Sequence, residues 1–68
     1  MIKYYKLLDM LNRREMSKED LRLKINTSSA TIAKISKNEF ISLKIINDIC
    51  GALNCQPGDI MEYIPDKE

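Results

Sequence analysis

Three features of this 68-residue chain predict an all-α fold of five helices. Apolar residues recur at helical spacing in successive segments. Gly and Pro are scarce, two of each. Asn26 separates two short amphipathic segments, residues 18–25 and 28–37, with a turn too short for them to run antiparallel. There is no internal repeat, low-complexity run or β alternation.

The first helix is expected over residues 3–14. Tyr4, Leu7, Leu8 and Leu11 follow the i, i+3, i+4, i+7 pattern, and Arg13 and Arg14 suit its negative end. Ser17 is a good N-cap for the second helix, and Asp20 three residues on completes a capping box. Met16 and Leu21 are placed as a hydrophobic staple. Asn26 suits the left-handed conformation a sharp turn needs. Thr27 or Ser28 can cap the third helix, in which Ile32 and Ile35 mark the inner face. Its other positions are small or basic: Ser28, Ser29, Ala30, Ala33, Lys34 and Lys37. A helix that only filled a core rarely shows such a face. Asn38 can close it in the αL conformation.

Ser42 caps the fourth helix, with Ile41 and Ile46 as a staple and Ile46, Ile49, Cys50 and Leu53 as its apolar stripe. Asn54 is its stop. Pro57 opens a short fifth helix, Asp59 sits in its first turn, Ile60, Met61 and Ile64 are its apolar residues, and Pro65 ends it. Residues 1–68 read as one domain, ordered over about 3–64, with a frayed tail at 66–68. Met1, Ile2, Tyr5, Met10, Leu23 and Phe40 lie off the stripes and fit satellite packing or a dimer contact.

The net charge of +1 conceals an asymmetry. Residues 1–37 carry nine Lys/Arg against four acids, +5; residues 38–68 carry two Lys against six acids, −4. From Arg22 to Asn38 there are four cations and no acid. A basic face with an acidic opposite end suits oriented approach to a polyanion, although helical surfaces also carry lysine without any such partner. Cys50 and Cys55 are the only cysteines and there is no His, so the chain has no four-ligand zinc set and no histidine base. Cys50 reads as a reduced core residue, which fits a cytoplasmic location. Neither a signal peptide nor a membrane span is predicted, and no cofactor. An enzyme is not expected, since nothing assembles a phosphate loop or a catalytic cluster.

Leu21 to Asn38 reads L-R-L-K-I-N-T-S-S-A-T-I-A-K-I-S-K-N. This resembles the helix-turn-helix of the Cro and phage-repressor (XRE-like) family, a lambda-repressor-like DNA-binding fold. Leu21 matches its leading Leu, Asn26 stands where the family has Gly, Ser28 opens the recognition helix, and Thr31 to Ile35 match its T-I-S-K-I stretch. Residues 7–11 with Met16-Ser17, and 46–53 followed by Gln56-Pro57-Gly58-Asp59-Ile60, resemble the flanking elements, so the likeness spans about residues 3–63. Arg22 departs from it, at a position usually held by a small Ala. Either its stem snorkels past the helix contact or the two helices sit farther apart. Thr27 replaces an aliphatic residue, and Asn38 also replaces Gly.

The resemblance implies that helix 28–37 enters the major groove of double-stranded DNA, with positions 28, 29, 30, 33, 34 and 37 facing it. Lys34 and Lys37 reach guanine acceptors or phosphates, and Ser28 and Ser29 reach base edges or phosphate. Ala30 and Ala33 permit close approach. The rival reading of these small residues is packing against another helix. No Arg, Gln or Asn lies on that face, so DNA shape should carry part of the specificity. Lys18, at the start of the second helix, and Lys44, in the first turn of the fourth, fit phosphate contacts or ordinary solvated lysines. Asn38 fits a phosphate contact or a C-cap. The expectation is a sequence-specific transcriptional regulator, more a repressor than an activator, acting as a homodimer on a pseudo-palindromic operator. Residues 57–64 are the candidate dimer surface. The alternative is a protein-interaction module of the same fold, an antitoxin or adaptor.

Overall fold

The computed structural model describes residues 1–66. Its elements are β1 (Ile2–Lys3), α1 (Tyr5–Arg13), α2 (Lys18–Ile25), α3 (Ser29–Ser36), α4 (Leu43–Leu53), one 3-10 turn (Pro57–Asp59) and β2 (Glu62–Tyr63). Four α-helices therefore form as their local patterns predict. The expected fifth does not.

Its fate has a local and a distant cause. The Asp59 carboxylate accepts the Gln56 amide at 2.9 Å and closes a single turn. Beyond it the chain runs extended, and β2 pairs antiparallel with β1, Ile2 opposite Tyr63 and Lys3 opposite Glu62. The ladder continues outward, with the Ile64 amide donating to the Met1 carbonyl at 2.9 Å. So short a helix barely repays its own nucleation, and pairing with a strand from the other end of the chain wins. The same pairing shortens α1. Lys3 belongs to β1 and Tyr4 only precedes the helix. Residues 67 and 68 of the expected frayed tail lie outside the described residues, whereas Asp66 lies 3.5 Å from the N-terminal ammonium.

The apolar stripes converge on one core. Tyr4, Leu7, Leu11, Leu21, Ile35, Ile46, Ile49, Leu53 and Ile60 are buried, with Met16, Ile25, Ile32 and Ile41 packed against them. Ile60, read as part of a helix, is fully buried, and its carbonyl accepts the Leu7 amide at 3.2 Å. That amide belongs to the first turn of α1, where no carbonyl of the helix itself can reach it. Cys50 and Cys55 are free, half-buried thiols at the end of α4. Burial, then the adjacent Cys50, pushes the Cys55 thiol up.

Each helix ends in the same way. Glu15, Asn26, Asn38 and Asn54 take positive φ, between 55° and 58°. The residue after each donates its amide five positions back in the Schellman pattern: Met16 to Leu11, Thr27 to Arg22, Glu39 to Lys34 and Cys55 to Cys50.

Candidate nucleic-acid interface

The unit at residues 17–38 is built from caps inward. Ser17 Oγ accepts the Asp20 amide at 3.0 Å while Asp20 accepts the Ser17 amide at 2.9 Å, the capping box expected. Asn26, at φ 55° and ψ 51°, ends α2. Ser28 rather than Thr27 caps α3, accepting the Thr31 amide at 3.2 Å, and it also bonds the Thr31 hydroxyl. The hydroxyl of Ser28 is thus already engaged in holding the helix start. The expected 28–37 helix becomes Ser29–Ser36, with Ser28 and Lys37 as its flanking caps.

Leu21 and Ile35 pin the unit to the core, each buried, with Ile25 and Ile32 half-buried beside them. The opposite face of α3 is open: Ser28, Ser29, Ala30, Ala33, Lys34 and Lys37 are all exposed. The small residues therefore do not serve as a packing face within this chain. Lys18, in the first turn of α2, is exposed as well.

Arg22 is half-buried, and its head is engaged by neighbouring groups. Its guanidinium forms a two-pronged contact with Glu19, with Nε to Oε1 at 2.9 Å, and Nη1 reaches the Thr27 carbonyl at 3.4 Å. The pairing holds the Glu19 carboxyl below its usual range. The head is thus held, partly exposed, between the first turn of α2 and the turn that leads into α3.

Lys44 also has a partner. Its Nζ lies 2.9 Å from Asp48 Oδ2, one turn along α4, and the lysine holds that carboxyl below its usual range. Asp48 thus offsets the unfavourable position of a cation in the first helical turn. Asn38 closes α3 with φ 58°, and its side chain turns inward, Oδ1 accepting the Tyr4 amide at 2.9 Å. Its carboxamide oxygen is engaged there and not offered to solvent.

Ion pairing separates this unit from helices α1 and α4, although Lys3 and Arg14 beside them also lack a carboxylate partner among the described residues. Elsewhere Lys6 pairs with Glu62, Arg13 with Asp9 and Lys44 with Asp48. Within residues 17–38 only Arg22 is paired, and among the described residues Lys18, Lys24, Lys34 and Lys37 have no carboxylate partner. Lys24 lies apart from the α3 face, lining a shallow depression between α2 and α4 with Asn47 and Asp48. Sequence reasoning did not single out Tyr4 as a neighbour of this unit. Its phenol donates to the Glu39 carbonyl at 2.8 Å, just beyond α3. Burial pushes that phenol up, the Ile41 backbone opposing, so it remains a protonated donor. The signal was present in Asn38, which offers a side-chain acceptor where Gly would satisfy the backbone alone. Among the described residues no cluster of ligating side chains could hold a metal, and no helix is long and apolar enough to cross a membrane.

Comparison with known proteins converges on one family. The family model for the Cro/C1-type HTH DNA-binding domain matches residues 6–66. Over 61 residues the chain is 43% identical to YozG of Bacillus subtilis (strain 168), an uncharacterized HTH-type transcriptional regulator, covering 87% of this chain and 73% of that protein. The crystal structure of the transcriptional regulator VanUg (form II) matches with a TM-score of 0.91 at 43% identity, covering 96% of this chain and 87% of that one.

Proposed function

The chain belongs to the Cro/C1-type helix-turn-helix family of DNA-binding domains, and we propose on that premise that it is a sequence-specific transcriptional repressor that inserts α3 into the major groove. Ser29, Ala30, Ala33, Lys34 and Lys37 form the reading face. Lys18 contacts a flanking phosphate. Ser28 contributes only by sharing a hydroxyl already committed to its cap. Lys44 takes a lesser part, because Asp48 competes for it, and Asn38 serves as the C-cap of α3 with its side chain turned to Tyr4.

The contrast in ion pairing carries this reading. Lys34 and Lys37 stand on an exposed helix face without carboxylate partners, while cations on α1 and α4 are paired. An uncompensated cationic face costs stability through self-repulsion, and a phosphate backbone recovers that cost. One such module buries little surface. We therefore assign a homodimer reading half-sites about 34 Å apart, with repression by occlusion of the promoter.

A salt titration on a duplex selected from a random pool tests this. Each neutralised phosphate contributes about −0.9 to the slope of log affinity against log salt. An affinity indifferent to salt rejects the reading. Two-fold symmetry in the selected sequences supports the dimer, and its absence rejects it.

A further inference from the structure

The exit of α3 is fastened to the N-terminal segment through a single residue. Tyr4, between β1 and α1, is 2% exposed. Its amide donates to Asn38 Oδ1 at 2.9 Å and its phenol to the Glu39 carbonyl at 2.8 Å. Asn38 and Glu39 form the turn that closes α3, with the Glu39 amide donating to the Lys34 carbonyl at 2.8 Å. Two hydrogen bonds thus bind a buried residue to the turn that follows the exposed lysines.

We propose that Tyr4 and Asn38 are positioning residues for DNA recognition, which fix the last turn of α3 and so set where Lys34 and Lys37 meet the duplex. The proposal rests on α3 being the reading helix. Three observations support it. The helix has eight residues, too few to hold its own ends against fraying. Its buried anchors, Ile35 and the half-buried Ile32, precede the last turn, and Ser36 and Lys37 after them are exposed, so core packing does not by itself hold that turn. Asn38 sits in the αL conformation, which Gly adopts without strain, yet its side chain is turned to the Tyr4 amide. A cap alone does not require that side chain.

Removing either bond should let the last turn shift by fractions of an ångström. Base contacts depend on such placement, whereas phosphate attraction tolerates it. Selectivity should therefore fall more than overall attraction to DNA.

The experiment compares Tyr4→Phe, Asn38→Gly and the double variant Lys34→Ala/Lys37→Ala with the parent chain. Binding to a duplex selected from a random pool and to random duplex is measured across salt concentrations, at a temperature where circular dichroism shows each fully folded. Tyr4→Phe and Asn38→Gly should each weaken binding to the selected duplex about five- to tenfold, the size of one net hydrogen bond. Binding to random duplex and the salt slope should stay unchanged, and amide exchange at residues 37–39 should quicken. Asn38→Gly is the decisive variant, since it relaxes the backbone and keeps Tyr4. Parent-like affinity and selectivity in Asn38→Gly overturns the proposal. So does an equal loss on both duplexes, which marks a purely structural role. Unchanged binding in the double lysine variant rejects α3 as the reading helix, a separate failure that removes the proposal's premise as well.

Discussion

The helix-turn-helix unit and the scaffold that carries it are built to opposite rules. The scaffold, made of α1, α4 and the paired chain ends, supplies most of the buried side chains, among them Leu7, Leu11, Ile46, Ile49, Leu53 and Ile60. The cations within α1 and α4 are paired, Lys6 with Glu62, Arg13 with Asp9 and Lys44 with Asp48, whereas Lys3 lies over the Tyr5 ring and Arg14 bonds the Leu53 carbonyl. Residues 17–38 contribute Leu21 and Ile35 to the core, and among the described residues none of their four lysines has a carboxylate partner. On the proposed reading, that surface is what meets the DNA. If recognition is drawn from these residues, as proposed, substitutions in the two regions should fail in different ways.

The largest effect should come from the scaffold. Ile49→Ala or Leu7→Ala, each removing a fully buried side chain, should cost about 2–5 kcal/mol, much of what a domain of this size possesses. Urea or thermal unfolding followed by circular dichroism measures it. Ala33→Ser, on the exposed face of α3, should stay within about 0.5 kcal/mol by the same measurement. Equal losses at the two sites would break the contrast.

Lys34→Ala with Lys37→Ala should do the reverse. Stability should change little, while the salt slope of DNA binding falls by about 0.9 for each phosphate contact removed. Lys6→Ala, which loses its pairing with Glu62 in the scaffold, should leave that slope alone. A matching slope change in Lys6→Ala would mean that the binding surface has been drawn in the wrong place.

Caps come next, and they act in both regions. Ser17→Ala and Ser42→Ala should each cost about 1 kcal/mol, because each removes the acceptor of a first-turn amide. A smaller change follows from Glu15, which holds φ 58°. The αL conformation costs a non-glycine residue about 1–2 kcal/mol, and glycine loses about 0.5–1 kcal/mol in chain entropy. Glu15→Gly should therefore raise stability by roughly 0.5 kcal/mol. A fall in melting temperature would show that the Glu15 side chain has a role of its own.

The smallest effect is acid-dependent. The carboxyls of Glu19 and Asp48 are held below their ordinary values of 4.5 and 3.8 by hydrogen bonds from Arg22 and Lys44. Their folded values lie below the unfolded ones. Their contribution is therefore full above those ordinary values and is lost as pH falls through the folded values. Glu19→Gln should be slightly less stable than the parent at neutral pH and indistinguishable in strong acid. A difference that persists in acid would place the effect in packing rather than charge.

Four helices, their caps and the αL turn at Asn26 were legible because each signal lies within a few residues of its effect. The capping box of Ser17 and Asp20 is such a signal. The Lys44–Asp48 pair is equally local, yet reading Lys44 as a phosphate contact or a solvated lysine missed it. The exposed face of α3 was legible from its composition. The fifth helix was misread because Ile60, Met61 and Ile64 satisfy a helical period over a stretch too short to test it. The strand that claims Glu62 and Tyr63 lies at the far end of the chain.

The sequence by itself determined the caps of α2, α3 and α4 and which faces are apolar, because capping, αL turns and periodicity are properties of neighbouring residues. Tertiary structure decided how the chain ends pair, where the Arg22 head goes and what the side chain of Asn38 holds. Those outcomes depend on which groups meet across the fold. The Tyr4 amide and the Asn38 carboxamide, thirty-four positions apart, become partners only once the core has brought them together.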